Sequence, residues 1–177
     1  VALMAGLYIV GCVVILVFNS DYLWPALQLI VESAFNPSAA GGGFVGASIM
    51  ITARYGIARG LFSNEAGMGA TPHAHALAKV EKPHDQGVVA MIGVFIDTFV
   101  VLTMTALIVI STLYAGGGVL ASGAAEGVAK TNMAQLAFSM VFGDTIGNTF
   151  VAVCLFFFAF STIISWNLFG KINVTYL

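Results

Sequence analysis

Three stretches of this sequence are long, continuous and apolar, and they limit how the chain can fold. They cover residues 1–18, 87–114 and 145–170, and the first has no charged side chain. A helix needs about 20 apolar residues to cross the hydrocarbon core of a bilayer. The apolar residues follow one another instead of alternating with polar ones, which favours helices over barrel strands. With a mean hydropathy of +0.99 and 8% charged residues, the sequence predicts an all-α integral membrane protein.

The segments between these spans predict how the chain crosses the membrane. Residues 19–38 contain turn-forming and interfacial aromatic residues, residues 115–144 are rich in glycine and alanine, and residues 79–86 form a short charged loop. Lysines lie mainly on one side of the spans, and the positive-inside rule makes that side cytoplasmic. The lysines on that side are Lys79, Lys82 and Lys171, against Lys130 on the other. We therefore expect residues 79–86 to be cytoplasmic, and 19–38 and 115–144 to be extracellular, in a single partial transmembrane domain over residues 1–177.

Residues 44–80 hold no clear loop, yet they are too long to cross a membrane as one straight helix. At ~1.5 Å per residue the helix would measure roughly 55 Å, against a hydrocarbon core of ~30 Å. The residues that favour a break are Gly56, Gly60, Gly67, Gly69 and Pro72. We expect a broken span with a half-helix over 44–57, an unwound stretch over 58–69 and a second half-helix over 70–80.

The predicted break is polar, with the sequence GLFSNEAGMGATPHAHA at residues 60–76. Ionisable groups inside a membrane are costly and mark substrate or ion pathways. The N-termini of half-helices attract carboxylates, and freed backbone carbonyls attract cations. A break of this kind suits a zwitterion together with a small cation, and the alternative interpretation is a glycine-rich packing kink.

Two carboxylates are candidates for roles in or near this break. Glu65 can bind a cation, relay a proton or lock the unwound stretch by hydrogen bonding, and we expect the lock. A buried carboxylate needs a partner, and Arg54 or Arg59 is close enough in sequence to pair with it. We expect Asp97 to face the bundle interior as an anchor that caps neighbouring unwound backbone, with proton or ion binding as the alternative.

Two histidines follow the break, and hydroxyl groups interrupt the last span. His73 and His75 point in different directions on a helix, whereas a metal site prefers a spacing of four, so we expect polar residues near the cytoplasmic mouth. Thr162 and Trp166 share one face of a helix, and Ser161 lies beside them. These hydroxyls either bond back to their own helix or line a pocket for a small solute.

Four motifs of the chain occur together in one known family. They are GLFSNEAGMG (60–69), PHAHA (72–76), QGVVAMIGVFIDT (86–98) and FAFSTIISW (158–166). In order and approximate spacing they resemble the alanine/glycine:cation symporter family over essentially the whole chain. After the tryptophan that family usually has a Tyr-rich, Gly-containing stretch, whereas this chain reads NLFGKINVTYL.

The resemblance implies a fold and an order of helices. The fold is the leucine-transporter-like bundle of two inverted five-helix repeats, of which this chain would be an incomplete internal part. Residues 1–18 would be the last helix of the first repeat, 44–80 the broken first helix of the second, and 87–114 and 145–170 its next two helices. The remaining helices of the same transporter would supply the rest of the site.

The resemblance also implies roles for individual residues. The expected substrate-binding residues are Phe62, Ser63, Asn64, Gly67, Met68, Gly69, Thr162 and Trp166. Ser161 and Thr162 are candidates for a sodium site, and Glu65, Asp97 and Arg59 for structural or gating roles. No catalytic residue and no metal other than sodium are expected.

The sequence therefore predicts a multi-pass secondary active transporter of the cell inner membrane that imports alanine or glycine with sodium. Its expected partners are the small neutral amino acid, sodium as a co-substrate and the lipid bilayer. No cofactor is expected, and the lack of a basic patch argues against a nucleic acid. The alternatives are a proton-coupled carrier, a membrane enzyme with acid–base groups at Asp97, Glu65 or the histidines, and a channel. The enzyme lacks a nucleophile–base pair, and the channel lacks a continuous polar stripe.

Overall fold

The computed structural model describes residues 2–35, 45–65, 68–115, 117–121, 128–129 and 131–176. The regular structure within these residues is entirely helical, which confirms the all-α prediction for this part of the chain. Several features used in the sequence predictions lie outside the described residues. They include residues 36–38 of the predicted extracellular segment, residue 44 at the start of the predicted broken span, Gly67 and Lys130.

The first two helices form a sharply bent pair. They are α1 (Ala2–Phe18) and α2 (Leu23–Phe35), separated by a short 3₁₀ turn, Ser20–Tyr22. The backbone amide and the side-chain amide of Asn19 both donate to the carbonyl of Ile15, at 2.9 and 3.0 Å. Asn19 thus supplies donors for the carbonyl of Ile15 at the end of α1 before the chain turns. The bend between the two helices measures 83°.

The next two helices enclose a break. They are α3 (Val45–Ser63) and α4 (Ala70–Ala76). Because α3 is helical through Gly56 and Gly60, the prediction that the unwound stretch begins near residue 58 was wrong. A glycine inside a helix costs only ~1 kcal/mol relative to alanine, so neither glycine has to end α3. The break follows Ser63 and ends at Gly69, and α4 ends at Ala76 instead of residue 80.

A single 33-residue helix, Pro83–Ala115, follows the charged loop. It consists of α5 (Pro83–Phe95), a π-helical segment (Ile96–Leu102), α6 (Thr103–Ile110) and a second π-helical segment (Ser111–Ala115). Pro83 suits the first turn because a proline there has no amide hydrogen to leave unbonded. π-Helical turns are rare and concentrate at functional sites, and the first of these contains Asp97.

The last two helices are joined by a tight turn. They are α7 (Met133–Phe142) and α8 (Asp144–Tyr176), which has 33 residues. Gly143 in the turn has a φ of 83°, and a Cβ atom on Gly147 would lie 2.5 Å from the backbone nitrogen of Ser139. Both positions therefore require glycine. By length and composition, α8 and the Pro83–Ala115 helix can each cross a membrane, and the bent α1–α2 pair is a third candidate span.

The residues separate into two units by their contacts, which we call unit 1 and unit 2. Unit 1 contains Val1–Val31 and Phe99–Ile163, and unit 2 contains Glu32–Thr98 and Ile164–Leu177. The core of unit 1 consists of Cys12, Ile15, Ile108, Ala137, Phe138 and Val151. Tyr8 stacks on Phe138 at 5.7 Å, and its hydroxyl lies 3.0 Å from that of Thr105. Unit 2 contains the break, which is described next.

Candidate functional site

The backbone of the break departs from helical geometry at two described residues. Glu65 has a φ of 51° and Gly69 a φ of 77°. The left-handed conformation costs a residue with a side chain roughly 1–2 kcal/mol, whereas glycine adopts it readily. The amide of Glu65 donates to the carbonyl of Phe62, and that of Met68 donates to the carbonyl of Glu65, each at 3.2 Å. The chain therefore makes two successive turns instead of continuing α3.

The side chain of Glu65 spans the break. The hydroxyl of Thr71 in α4 donates to Oε2 of Glu65 at 2.6 Å, and both residues are half-buried. This is a contact of the kind that the locking role requires. The suggested arginine partners were wrong, because neither Arg54 nor Arg59 forms an ion pair with Glu65, and both are exposed on α3.

Two consecutive residues at the end of α3 bond to two consecutive residues in the first π-helical segment. The hydroxyl of Ser63 donates to Oδ2 of Asp97 at 3.0 Å. The hydroxyl of Thr98 donates to Oδ1 of Asn64 at 2.8 Å. The sequence predicted that Asp97 caps unwound backbone, whereas the contact seen among the described residues of the break is with the side chain of Ser63. The FSNEAG and FIDT motifs of the sequence meet at this point.

Both histidines of α4 bond to neighbouring helices within unit 2. Nδ1 of His73 donates to the carbonyl of Gly69 at 2.8 Å, and its Nε2 lies 3.1 Å from Oδ1 of Asn173. The side-chain amide of Gln86 donates to Nδ1 of His75 at 2.6 Å. In the described part of the chain, no three His, Cys, Asp or Glu residues converge as a metal site would require.

An open groove of about 400 Å³ lies beside the break, along α5. Its polar lining residues are Ser63, Asn64, Glu65, Thr71, His75 and Asp97. A second groove of about 520 Å³ shares Thr71 and His75, and most of its other lining residues are apolar. The smaller groove therefore holds the polar chemistry of the break.

The candidate residues of α8 fall on both sides of the division between the units. Ser161 and Thr162 belong to unit 1, and their hydroxyls donate to the same carbonyl, that of Phe158, at 2.8 and 2.9 Å. Back-bonding of this kind leaves lone pairs on each hydroxyl oxygen. Trp166 belongs to unit 2, is 48% exposed and contacts Phe169 edge-on at 6.0 Å.

The other predicted site residues occupy different surroundings. Phe62 and Met68 flank the break and are 66% and 45% exposed, whereas Gly67 is outside the described residues. The sequence predictions missed Thr71 and Thr98, which hold Glu65 and Asn64. A signal existed for Thr98, because it completes the FIDT motif directly after Asp97. Thr71 lies in an alanine-rich turn that carries no such signal.

Comparisons with known proteins agree with the motifs. All 177 residues of the chain match the model of the sodium:alanine symporter family. The chain is 41% identical to an uncharacterized transporter of Haemophilus influenzae, and 38% identical to the sodium/alanine symporter AgcS of Methanococcus maripaludis. It is also 38% identical to YrbD of Bacillus subtilis, a putative sodium/proton-dependent alanine carrier protein.

The extent of these matches is the same in each case. All of this chain is matched, and it covers 37% of the length of each of the three relatives. The family is one of transporters and not of enzymes. The chain belongs to the sodium:alanine symporter family.

Proposed function

We propose that this chain is part of a secondary active transporter that imports alanine or glycine together with sodium across the cell inner membrane. The observation that supports this function is the break between α3 and α4, which has left-handed backbone at Glu65 and Gly69 beside a polar groove. Interrupted helices bind substrates and coupling ions in transporters, because their backbone groups are released from helical bonding. The fold we propose is the leucine-transporter-like inverted-repeat bundle.

In this proposal one wall of the substrate site is the segment from Phe62 to Gly69. The exposed side chains of Phe62 and Met68 supply apolar contacts for a small aliphatic side chain, and backbone groups of the break supply polar contacts. Thr162 and Trp166 of α8 form the other wall. A large indole there limits the space to substrates of the size of alanine or glycine.

The proposed sodium site uses Ser161 and Thr162. Both hydroxyls donate to the carbonyl of Phe158, and the oxygen of each is a candidate ligand for the cation. Oxygen lone pairs are what a hard cation requires. Transport then follows from rocking of helix groups about a site near the middle of the membrane, with the sodium gradient supplying the free energy.

The function is tested by uptake of labelled alanine into proteoliposomes that contain the full-length transporter. We expect accumulation when sodium is higher outside, and loss of accumulation when potassium replaces sodium. Accumulation driven by a proton gradient without sodium would contradict sodium coupling and favour the proton-coupled alternative. The experiment with a proton gradient is necessary because the description of the relative YrbD includes both sodium and protons. Uptake that is indifferent to both gradients would contradict a secondary active transporter.

Replacing Trp166 by alanine is expected to weaken alanine uptake and to admit larger amino acids. Loss of packing against an indole that costs ~1.4 kcal/mol raises the half-saturating alanine concentration about tenfold. The measurement is the concentration dependence of alanine uptake, with leucine and phenylalanine as competitors. The matched control is Trp24→Ala, because Trp24 is the other tryptophan of the chain and is 74% exposed on α2. If Trp166→Ala changes neither affinity nor competition, Trp166 lies outside the pocket.

A further inference from the structure

We propose that Ser63, Asn64, Asp97 and Thr98 form a clamp that fixes where α3 ends, and that Asp97 and Thr98 are positioning residues for the transported amino acid. Within the clamp, the side chains of Ser63 and Asn64 brace the break against the π-helical segment and do not touch the substrate. This inference rests on the proposed function, since a substrate wall at the break is what the clamp would position.

The geometry of the pairing supports a clamp. Two adjacent residues bond to two adjacent residues, at 3.0 Å for Ser63 and Asp97 and at 2.8 Å for Asn64 and Thr98. Adjacent side chains on a regular α-helix point about 100° apart, so two of them seldom face the same neighbour. Here neither pair of adjacent residues lies wholly within a regular α-helix. Asn64 follows the last residue of α3, and Asp97 and Thr98 lie in the π-helical segment Ile96–Leu102. The two irregularities therefore occur together at the clamp.

Polar side chains are costly in a membrane span. Asp97 and Thr98 are half-buried within the Pro83–Ala115 helix, which is long and apolar enough to cross a membrane. Polar groups in such a helix need partners. Ser63 is a partner for Asp97, and Asn64 is a partner for Thr98. The two long-range bonds therefore offset part of the cost of placing these polar side chains in an apolar helix.

The side chains of Ser63 and Asn64 point toward the first π-helical segment. They bond to Asp97 and Thr98 in that segment, and both line the groove that runs along α5. Phe62 and Met68, on either side of them, do not line that groove and are largely exposed. Since the clamp uses the side chains of Ser63 and Asn64, their neighbours remain to contact the substrate.

The test measures the half-saturating alanine concentration (KM) and the maximal rate of uptake by the full-length transporter, normalised to the amount of protein in the membrane. Thr98→Val removes one hydroxyl at constant shape, and we expect it to raise KM about tenfold, as is typical when one of two coupled partners is lost. Thr98→Ser, which keeps the hydroxyl, is expected to retain the wild-type KM. The double variant with Asn64→Ala and Thr98→Val is expected to have a KM no higher than that of Asn64→Ala alone.

The decisive variant exchanges the two partners. Asn64→Thr combined with Thr98→Asn keeps a hydroxyl and an amide in contact, so we expect a KM closer to wild type than that of either single variant. The control is Thr105→Val. Thr105 lies in the same Pro83–Ala115 helix as Thr98, and its hydroxyl contacts Tyr8 and the carbonyl of Val101. This variant is expected to lower thermal stability without changing KM. Ser63→Ala and Asp97→Ala repeat the test on the other pair, and Asp97→Asn, which keeps an acceptor oxygen for Ser63, corresponds to Thr98→Ser.

Each result decides the inference. A wild-type KM in Thr98→Val, or additive effects of Thr98→Val and Asn64→Ala, would overturn the clamp. The clamp would also be overturned if the variant with both residues exchanged has a higher KM than either Asn64→Thr or Thr98→Asn alone. That result would assign Asn64 to direct substrate contact. These outcomes require that the wild-type protein transports alanine. If the wild-type protein takes up no small neutral amino acid, the proposed function fails and the positioning role fails with it.

Discussion

Replacing Gly69 by alanine is expected to reduce alanine uptake at least tenfold, while the protein still reaches the membrane. Gly69 has a φ of 77°, and a Cβ atom placed there would meet no heavy atom within 4 Å. The cost of the substitution is therefore conformational and not steric, and amounts to roughly 1–2 kcal/mol for a side chain in the left-handed region. The backbone can relieve this strain only by changing the shape of the break. The measurements are uptake and thermal stability of the full-length protein.

The matched control is Gly60→Ala. Gly60 lies inside α3, also has no heavy atom within 4 Å of a placed Cβ, and has no left-handed φ. Alanine at such a position stabilises a helix by ~1 kcal/mol, so we expect higher thermal stability and unchanged uptake. If Gly69→Ala behaves like Gly60→Ala, with greater stability and full activity, the chain is helical through the break and the proposed site is wrong.

Truncation of Glu65 to alanine is expected to lower uptake at least tenfold. The residue has a left-handed φ of 51°, and its carboxylate accepts the hydroxyl of Thr71 at 2.6 Å. Alanine at this position would still have to adopt the left-handed conformation, but it lacks the hydrogen bond to Thr71 that offsets the cost. A hydrogen bond to a charged group contributes about 1.5–3 kcal/mol, which matches or exceeds the 1.4 kcal/mol of a tenfold change. Uptake per transporter in the membrane is the quantity to compare.

Two further variants separate the three roles of Glu65. Glu65→Gln retains an acceptor oxygen for Thr71, so a lock predicts uptake near that of the wild type. A cation ligand or a proton relay predicts that the same glutamine variant fails. Thr71→Val removes the donor from the other side of the break, and for a lock it should reproduce the loss seen in Glu65→Ala. A normal Thr71→Val together with an inactive Glu65→Gln would reject the lock.

The helices of this protein follow from its sequence more directly than the break does. Continuous apolar runs predict the Pro83–Ala115 helix and α8, since their length matches a bilayer. The start of the break was misplaced because glycine was weighted as a helix breaker. Gly56 and Gly60 remain helical, since a cost of ~1 kcal/mol each does not by itself end a helix. Only the left-handed conformation makes a glycine necessary, and Gly69 has it.

The contacts of the candidate site were less accessible to sequence reasoning. Opposite charge suggested Arg54 and Arg59 as partners of Glu65, but the backbone turn directs this carboxylate to Thr71 instead. The sequence indicated that Asp97 anchors the break, but it could not supply the partner. Ser63 and Asp97 are 34 residues apart in the chain, and their contact depends on the end of α3 lying beside the first π-helical segment. Periodicity describes one helix at a time and gives no information on such pairs.

The short length of α4 has a consequence for local unfolding. α4 has seven residues, whereas isolated helices shorter than about 12–15 residues are marginal in water. Its helical state therefore depends on the side-chain bonds of Thr71, His73 and His75 to residues outside it. A segment held by so few bonds opens at a small fraction of the free energy of global unfolding. We therefore expect α4 to lose and regain its structure while the Pro83–Ala115 helix stays intact, so that amide hydrogens exchange more readily in α4 than in that helix.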